Sequence, residues 1–205
     1  GWKRVVADVT YEVTDPTVDS QILQIRNAGA TAFLNVTTPK FAAQAIKKAA
    51  EIGWKPKHHL MSVSASVGAV LRPAGFENAQ GIVTAQYVKD VSDPGWADAP
   101  DYKTWKSFMD TWNPTINPFE GSSVTGYASA ITLVHVLKQC GDELTRENVM
   151  KQAASMHQLE IPMLLPGIKL NTSPTDFYPI QSVRLARFET DHWVLFGELQ
   201  SRDVA

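Results

Sequence analysis

The stretch Phe33–Trp54, FLNVTTPKFAAQAIKKAAEIGW, decides how the rest of the chain is read. It opens on a short apolar run and turns at Val36–Pro39. It then carries Phe41, Ala42, Ala45, Ile46, Ala49 and Ala50 at helical spacing, and Gly53 closes it. This is the strand-turn-helix step of an α/β unit, where ligands gather at the carboxyl ends of parallel strands. The turn holds no glycine, and neither G-x-G-x-x-G nor G-x-x-x-x-G-K-[ST] occurs. Thr37, Thr38 and Pro39 stand there instead. A helix N-terminus lined with hydroxyls suits a neutral polar group or a carboxylate; Thr37 or Thr38 either only caps the helix or caps it and also meets the ligand.

The same alternation extends on both sides. RVVADVTY, residues 4–11, reads as a strand, and DPTVDSQILQIRNAGA reads as a helix begun by Asp15 and Pro16. In that helix Val18, Ile22 and Ile25 share a face, and Gly29 ends it. TAFLNV reads as a second strand, apolar enough to be buried on both faces. HHLMSV is a third strand, SASVGAVLRPAG a turn with a short helix, and GIVTAQYV a fourth strand. Strands alternating with helices predict parallel pairing and right-handed crossovers.

After Val91 the character changes. SDPGWADAPD is a proline- and aspartate-rich link. From Tyr102 to Met156 only helices are expected, the last with Thr145 as cap, Glu147 favoured by the dipole and Leu144 packed on Val149. GIKLN, QSVRLARFE and HWVLFGELQ read as strands, the last two joined at a tight Thr190–Asp191 turn. Three helices with large apolar faces have no strands of their own, so their sheet is expected before residue 1. The faces bearing Trp105, Phe108, Tyr127 and Ile131 would then be exposed, and the isolated chain would associate as a dimer or exchanged assembly.

Bulk properties narrow the classes. The 205 residues are 44% hydrophobic and 20% charged with a net charge of −2, which gives no electrostatic reason for a nucleic-acid partner. No apolar run reaches the length of a membrane span. The single cysteine, Cys140, is expected to be a small buried residue at a helix end. No signal peptide is visible, although the abrupt opening GWKRVV suggests a mature or shortened chain.

Chemistry-bearing motifs are few. The turn SVSASVG after the third strand offers Ser62, Ser64 and Ser66, again without charge. His58 and His59 are neighbours on a strand, point to opposite faces and cannot share a metal; solvated positions are expected for them. His135 lies in an apolar helix and reads as packing. No G-x-S-x-G occurs, and no serine can be placed in a triad by spacing. No catalytic, metal or cofactor site is expected. NVT and NTS match the N-glycosylation pattern, which matters only in a eukaryotic secreted protein.

Taken together, VVADVTYEVTDPTVDSQILQIRNAGATAFLNVTTPKFAAQAIKKAAEIGWKP, DELTRENVMKQA, PMLLPGIKLNTSPTDFYPI and RFETDHWVLFGEL resemble the leucine/isoleucine/valine-type periplasmic solute-binding proteins of ABC transporters. The resemblance covers nearly the whole chain. It implies an α/β, type I periplasmic-binding-protein fold of two lobes closing on a ligand. In it 1–90 would be lobe two, a parallel sheet flanked by helices; 91–160 would be helices returning to lobe one; 161–205 would be the C-terminal strands and hairpin of lobe two. Most of the N-terminal lobe would be lacking.

It further implies a periplasmic location, an ABC permease as partner and a small-molecule ligand held by Thr37, Thr38, Pro39, Ser62, Ser64 and Ser66. In the amino-acid binders the first of these turns supplies an aromatic side chain, where this chain has Thr38. The second supplies an acid for the ligand ammonium, where this chain has Ser64. A buried ammonium without a counter-charge is costly. The ligand is therefore expected to be a small amino acid or an organic acid, aromatic acids among them, and the uncharged second turn favours one without a free ammonium. A sensory domain on the same fold is the alternative, and an α/β enzyme the rival from another class.

Overall fold

The structure, a computed structural model, describes residues 4–115, 117 and 121–201. The chain forms two compact units and passes between them after Ala85, Leu185 and Leu195.

Unit 1 comprises Gly1–Ala85 and Ala186–Leu195. It is built from α1 (Asp19–Asn27), β1 (Ala32–Asn35), α2 (Pro39–Glu51), β2 (Lys57–Leu60), α3 (Arg72–Ala74), α4 (Phe76–Ala79) and β3 (Val83–Gln86), whose last residue falls in unit 2. β1, β2 and β3 pair in parallel with Phe33 opposite His58 and Leu60 opposite Thr84. β4 (Ser182–Glu189) and β5 (His192–Ser201) follow them in the five-stranded order β1-β2-β3-β4-β5.

The stripe along α2 explains the layering. Phe41, Ala45 and Ala49 pack with Val18, Ile22 and Phe33, which ties α2 to α1 and β1. Ala42 and Ile46, a step around the helix, pack with Leu60, Val70, Leu71 and Phe188. One helix thus serves two clusters because its apolar arc is wide. Ala50, read as part of that stripe, is exposed. Gly53, at φ +64°, ends the helix as expected; glycine meets no steric penalty there.

Three local expectations are corrected. Residues 5–11 form no strand: β-branched residues favour extension, but a strand also needs paired backbone, and β1 pairs only with β2. β1 is buried on one face only: Phe33 and Asn35 are buried, whereas Leu34 is 72% exposed. α1 begins at Asp19 rather than at Asp15, whose carboxylate instead accepts the Glu12 amide at 2.9 Å in a preceding turn.

The Thr190–Asp191 turn of the hairpin carries a β-branched residue at φ +59°. The Gln80 side chain offsets that strain by donating to the Thr190 carbonyl at 3.0 Å and accepting from its amide at 2.9 Å.

Unit 2 comprises Gln86–Leu185 and the residues from Phe196 on. Its helices are α5 (Pro100–Trp112), α6 (Gly121–Cys140) and α7 (Arg146–Ala153). The Thr145 hydroxyl accepts from the Asn148 amide at 3.2 Å, the cap read from the sequence. Leu144 is exposed, so it adds no staple. Residues 167–171 form no regular strand; Leu170 makes only isolated bridges to Leu159 and Ile180.

Trp105 is 1% exposed within a cluster with Val91, Met109, Val124 and Met163, which corrects the expectation that its face is open. Tyr127 and Ile131 are half-buried, and Phe108 is exposed as expected. Without Trp105, the apolar face invoked for dimerisation loses its largest member. Cys140 is buried at the end of α6 and donates to the Val136 carbonyl.

Candidate functional site

The carboxyl ends of β1 and β2 in unit 1 bring the two hydroxyl-bearing turns together. Their polar groups form one network, with Asn35 at its centre. This residue is fully buried at the end of β1. Its carbonyl oxygen accepts from the Thr37 hydroxyl at 2.7 Å, and its amide nitrogen lies 3.2 Å from His58 Nε2. The amide nitrogen can only donate, so this nitrogen of His58 is an acceptor and the imidazole is neutral.

His58 also stacks on Phe33, with ring centroids 4.7 Å apart. Burial lowers its pKa to about 4, and the neighbouring His59 adds to the effect. The expectation of a solvated His58 is thereby corrected: it sits on the covered face of β2, while His59 points to the exposed one. Burial of Asn35 also closes the NVT pattern to any glycan.

Ser64 is 0% exposed, and its hydroxyl donates to the Thr37 carbonyl. It links the two turns rather than facing solvent. The Tyr11 hydroxyl donates to Thr38 Oγ1 at 3.4 Å and accepts the Thr38 amide at 2.8 Å. Thr38 occupies the cap position of α2 without a side-chain cap bond, so the expected capping by Thr37 or Thr38 hydroxyls is corrected. Both hydroxyls are engaged elsewhere, Thr37 with Asn35 and Thr38 with Tyr11. Pro39 is half-buried and opens the helix, where its missing N–H costs nothing. Ser66 accepts from the Ala69 amide at 3.2 Å and caps the helical segment Val67–Leu71.

What this edge presents outward is mixed. Thr38, Ser62 and Lys40 are exposed, together with Val36, Met61 and Val63. The two turns hold no carboxylate. The surface is apolar with a few hydroxyls and one cation beside a helix N-terminus, a combination that suits a small organic anion. Tyr11, Asn35 and His58 were not legible as part of it. The one local signal was a lone asparagine on the otherwise apolar buried side of β1.

Unit 2 holds a separate apolar cavity of about 380 Å³ between α6, α7 and the segment around Leu164 and Leu170. Among the described residues no helix is long and apolar enough to cross a membrane, and no cluster of three His, Cys, Asp or Glu could hold a metal ion.

The parallel strands β1-β2-β3 carry the two hydroxyl-bearing turns at their carboxyl edge, and the chain passes three times between the compact units. The family model described as periplasmic binding protein matches residues 1–192, and the chain belongs to that family. Its fold is the type I periplasmic-binding-protein fold. A branched-chain amino acid ABC transporter structure from Thermus thermophilus with bound valine superposes with a TM-score of 0.77 at 16% identity, covering 96% of this chain and 52% of that one. An extracellular ligand-binding receptor from Rhodopseudomonas palustris HaA2 gives 0.70 at 18% identity, covering 91% and 53%. A possible leucine/isoleucine/valine-binding protein from Rhodopirellula baltica gives 0.66 at 20% identity, covering 87% and 46%. The chain therefore spans about half the length of these structures. No curated protein sequence matches it.

Proposed function

We propose that the chain is part of a periplasmic solute receptor that delivers a small organic acid, aromatic acids included, to an ABC permease. The role is binding without chemistry. The observation that carries the ligand class is the composition of the β1 and β2 turns: hydroxyls, apolar side chains and Lys40, with no acid to meet an ammonium. In this reading Thr38 and Ser62 are the hydroxyls that meet the ligand. Thr37, Pro39, Ser64 and Ser66 hold the turns in place. Residues 1–90 with the final strands belong to one lobe, and the helices of 91–160 to the other.

The first structure compared carries valine, and a small amino acid is the competing ligand. Calorimetric titration with benzoate, a branched aliphatic carboxylate and leucine separates the two. Binding of either carboxylate that weakens about tenfold or more in Lys40→Ala supports the proposal. Leucine binding unaffected by Lys40→Ala, with no response to the carboxylates, overturns it. A sensory domain on the same fold would bind the same ligand, but would be encoded beside a signalling segment rather than a permease.

A further inference from the structure

Tyr11 belongs to no helix or strand, yet the chain is pinned on both sides of it. The Gln21 side chain of α1 donates to the Thr10 carbonyl at 3.3 Å, and the Glu12 amide donates to the Asp15 carboxylate at 2.9 Å. Held this way, the half-buried ring of Tyr11 lies against Phe41 with centroids 4.5 Å apart. Phe41 is 1% exposed, and the Lys40 ammonium lies 4.8 Å from the centroid of its ring. The Tyr11 hydroxyl ends at Thr38, accepting from its amide at 2.8 Å and donating to its Oγ1 at 3.4 Å. One residue outside both turns thus reaches both groups assigned to the ligand, Thr38 directly and Lys40 through Phe41.

The state of Thr38 shows what this contact does. A threonine in the cap position ordinarily turns its oxygen inward and accepts the amide two or three residues further on. Thr38 holds the cap position of α2 and makes no such bond. Its oxygen takes the phenolic proton of Tyr11 instead, and the residue stays exposed beside Lys40. The short bond from the Thr38 amide anchors the phenol at the helix entrance. The longer one keeps the threonine hydroxyl out of the cap.

We propose that Tyr11 is the positioning residue of this edge: it diverts Thr38 from capping α2 and leaves the threonine hydroxyl facing outward, where it meets the ligand together with Lys40. Its part in binding rests on the carboxylate ligand proposed above.

Tyr11→Phe keeps the ring against Phe41 and removes only the hydroxyl, so Thr38 is expected to turn back into the cap. Hydrogen exchange read by NMR should quicken about tenfold at the Thr38 amide, which loses its acceptor, and slow at the Lys40 amide, which gains one. Calorimetric titration should show benzoate binding weakened about fivefold in Tyr11→Phe. In a Thr38→Val chain the same change should weaken it no further, because Tyr11 acts through Thr38. Faster exchange at both amides would mean plain loosening and would overturn the diversion. Benzoate affinity untouched by Tyr11→Phe, or an equal further loss in the Thr38→Val chain, would overturn the positioning role. The exchange pattern needs no ligand: if it holds while the unaltered chain binds no carboxylate, the ligand class fails and the diversion stands.

Discussion

The two units keep polar groups out of water by different means. Unit 1 buries Asn35 and Ser64 and satisfies them with neutral partners: a histidine held uncharged, a threonine hydroxyl and a backbone carbonyl. Unit 2 buries Lys89, 8% exposed, against the Asp101 carboxylate at 2.6 Å. Asp101 also accepts the Met163 amide at 3.0 Å, where Met163 sits at φ +69°, and Lys89 lies over the Trp96 ring. A neutral network costs little to desolvate and can sit beside a ligand surface without setting its charge. A buried ion pair fixes geometry firmly, but only while both partners remain.

The largest effect is expected from breaking the pair. Lys89→Ala leaves Asp101 without its counter-charge and should lower stability by about 3–5 kcal/mol in urea denaturation. Lys89→Met combined with Asp101→Asn should recover much of that loss, because the side-chain carbonyl of the introduced asparagine still accepts from the Met163 amide. A double variant as unstable as the single one would mean that the charge is not what matters. Burial alone would raise the Asp101 pKa, but Lys89 and the amides of Met163 and Tyr102 hold it below the ordinary carboxylate value. Its contribution is thus complete above that ordinary value and is lost as the pH falls through the lowered one.

The neutral network should respond at a milder pH. His58 titrates near 4 in the folded chain against 6.5 when unfolded. Between those values the unfolded chain binds the proton and the folded one does not, so stability falls as pH is lowered from 6.5 to 4. The full loss is about 3 kcal/mol. Denaturation midpoints across that range should lose most of this slope in His58→Gln; an unchanged slope would show that another group carries it.

The smallest of the three is Ser64→Ala, expected to cost about 1–3 kcal/mol by leaving the Thr37 carbonyl without its donor. Thermal unfolding gives the stability loss. If Ser64 ties the turns as the contacts show, carboxylate affinity should change less than in Lys40→Ala.

These contrasts also separate what was legible in the sequence from what was not. The α2 stripe was readable because one helix face repeats every turn, and only Ala50 strayed to the surface. The Thr145 cap was readable because it involves residues three apart. The strand at 4–11 failed because composition reports a preference for extension and says nothing of a pairing partner. Leu34 failed for the same reason, as an apolar run looks alike whether or not its second face is covered. Ser64 was legible as a turn hydroxyl, but its direction depends on a carbonyl 27 residues away. Lys89 and Asp101 lie at either end of a stretch read as a linker, where no periodic pattern brings them together.

Cys140 offers unit 2 a timekeeper of its own. It is the only sulfhydryl in the chain, lies buried at the last turn of α6 and is bonded back to Val136. A thiol reagent can reach it only when that turn opens, so the rate of its modification counts those openings directly. Unit 1 has no such reporter. The chain thus carries a clock for one of its halves, running without any label being introduced.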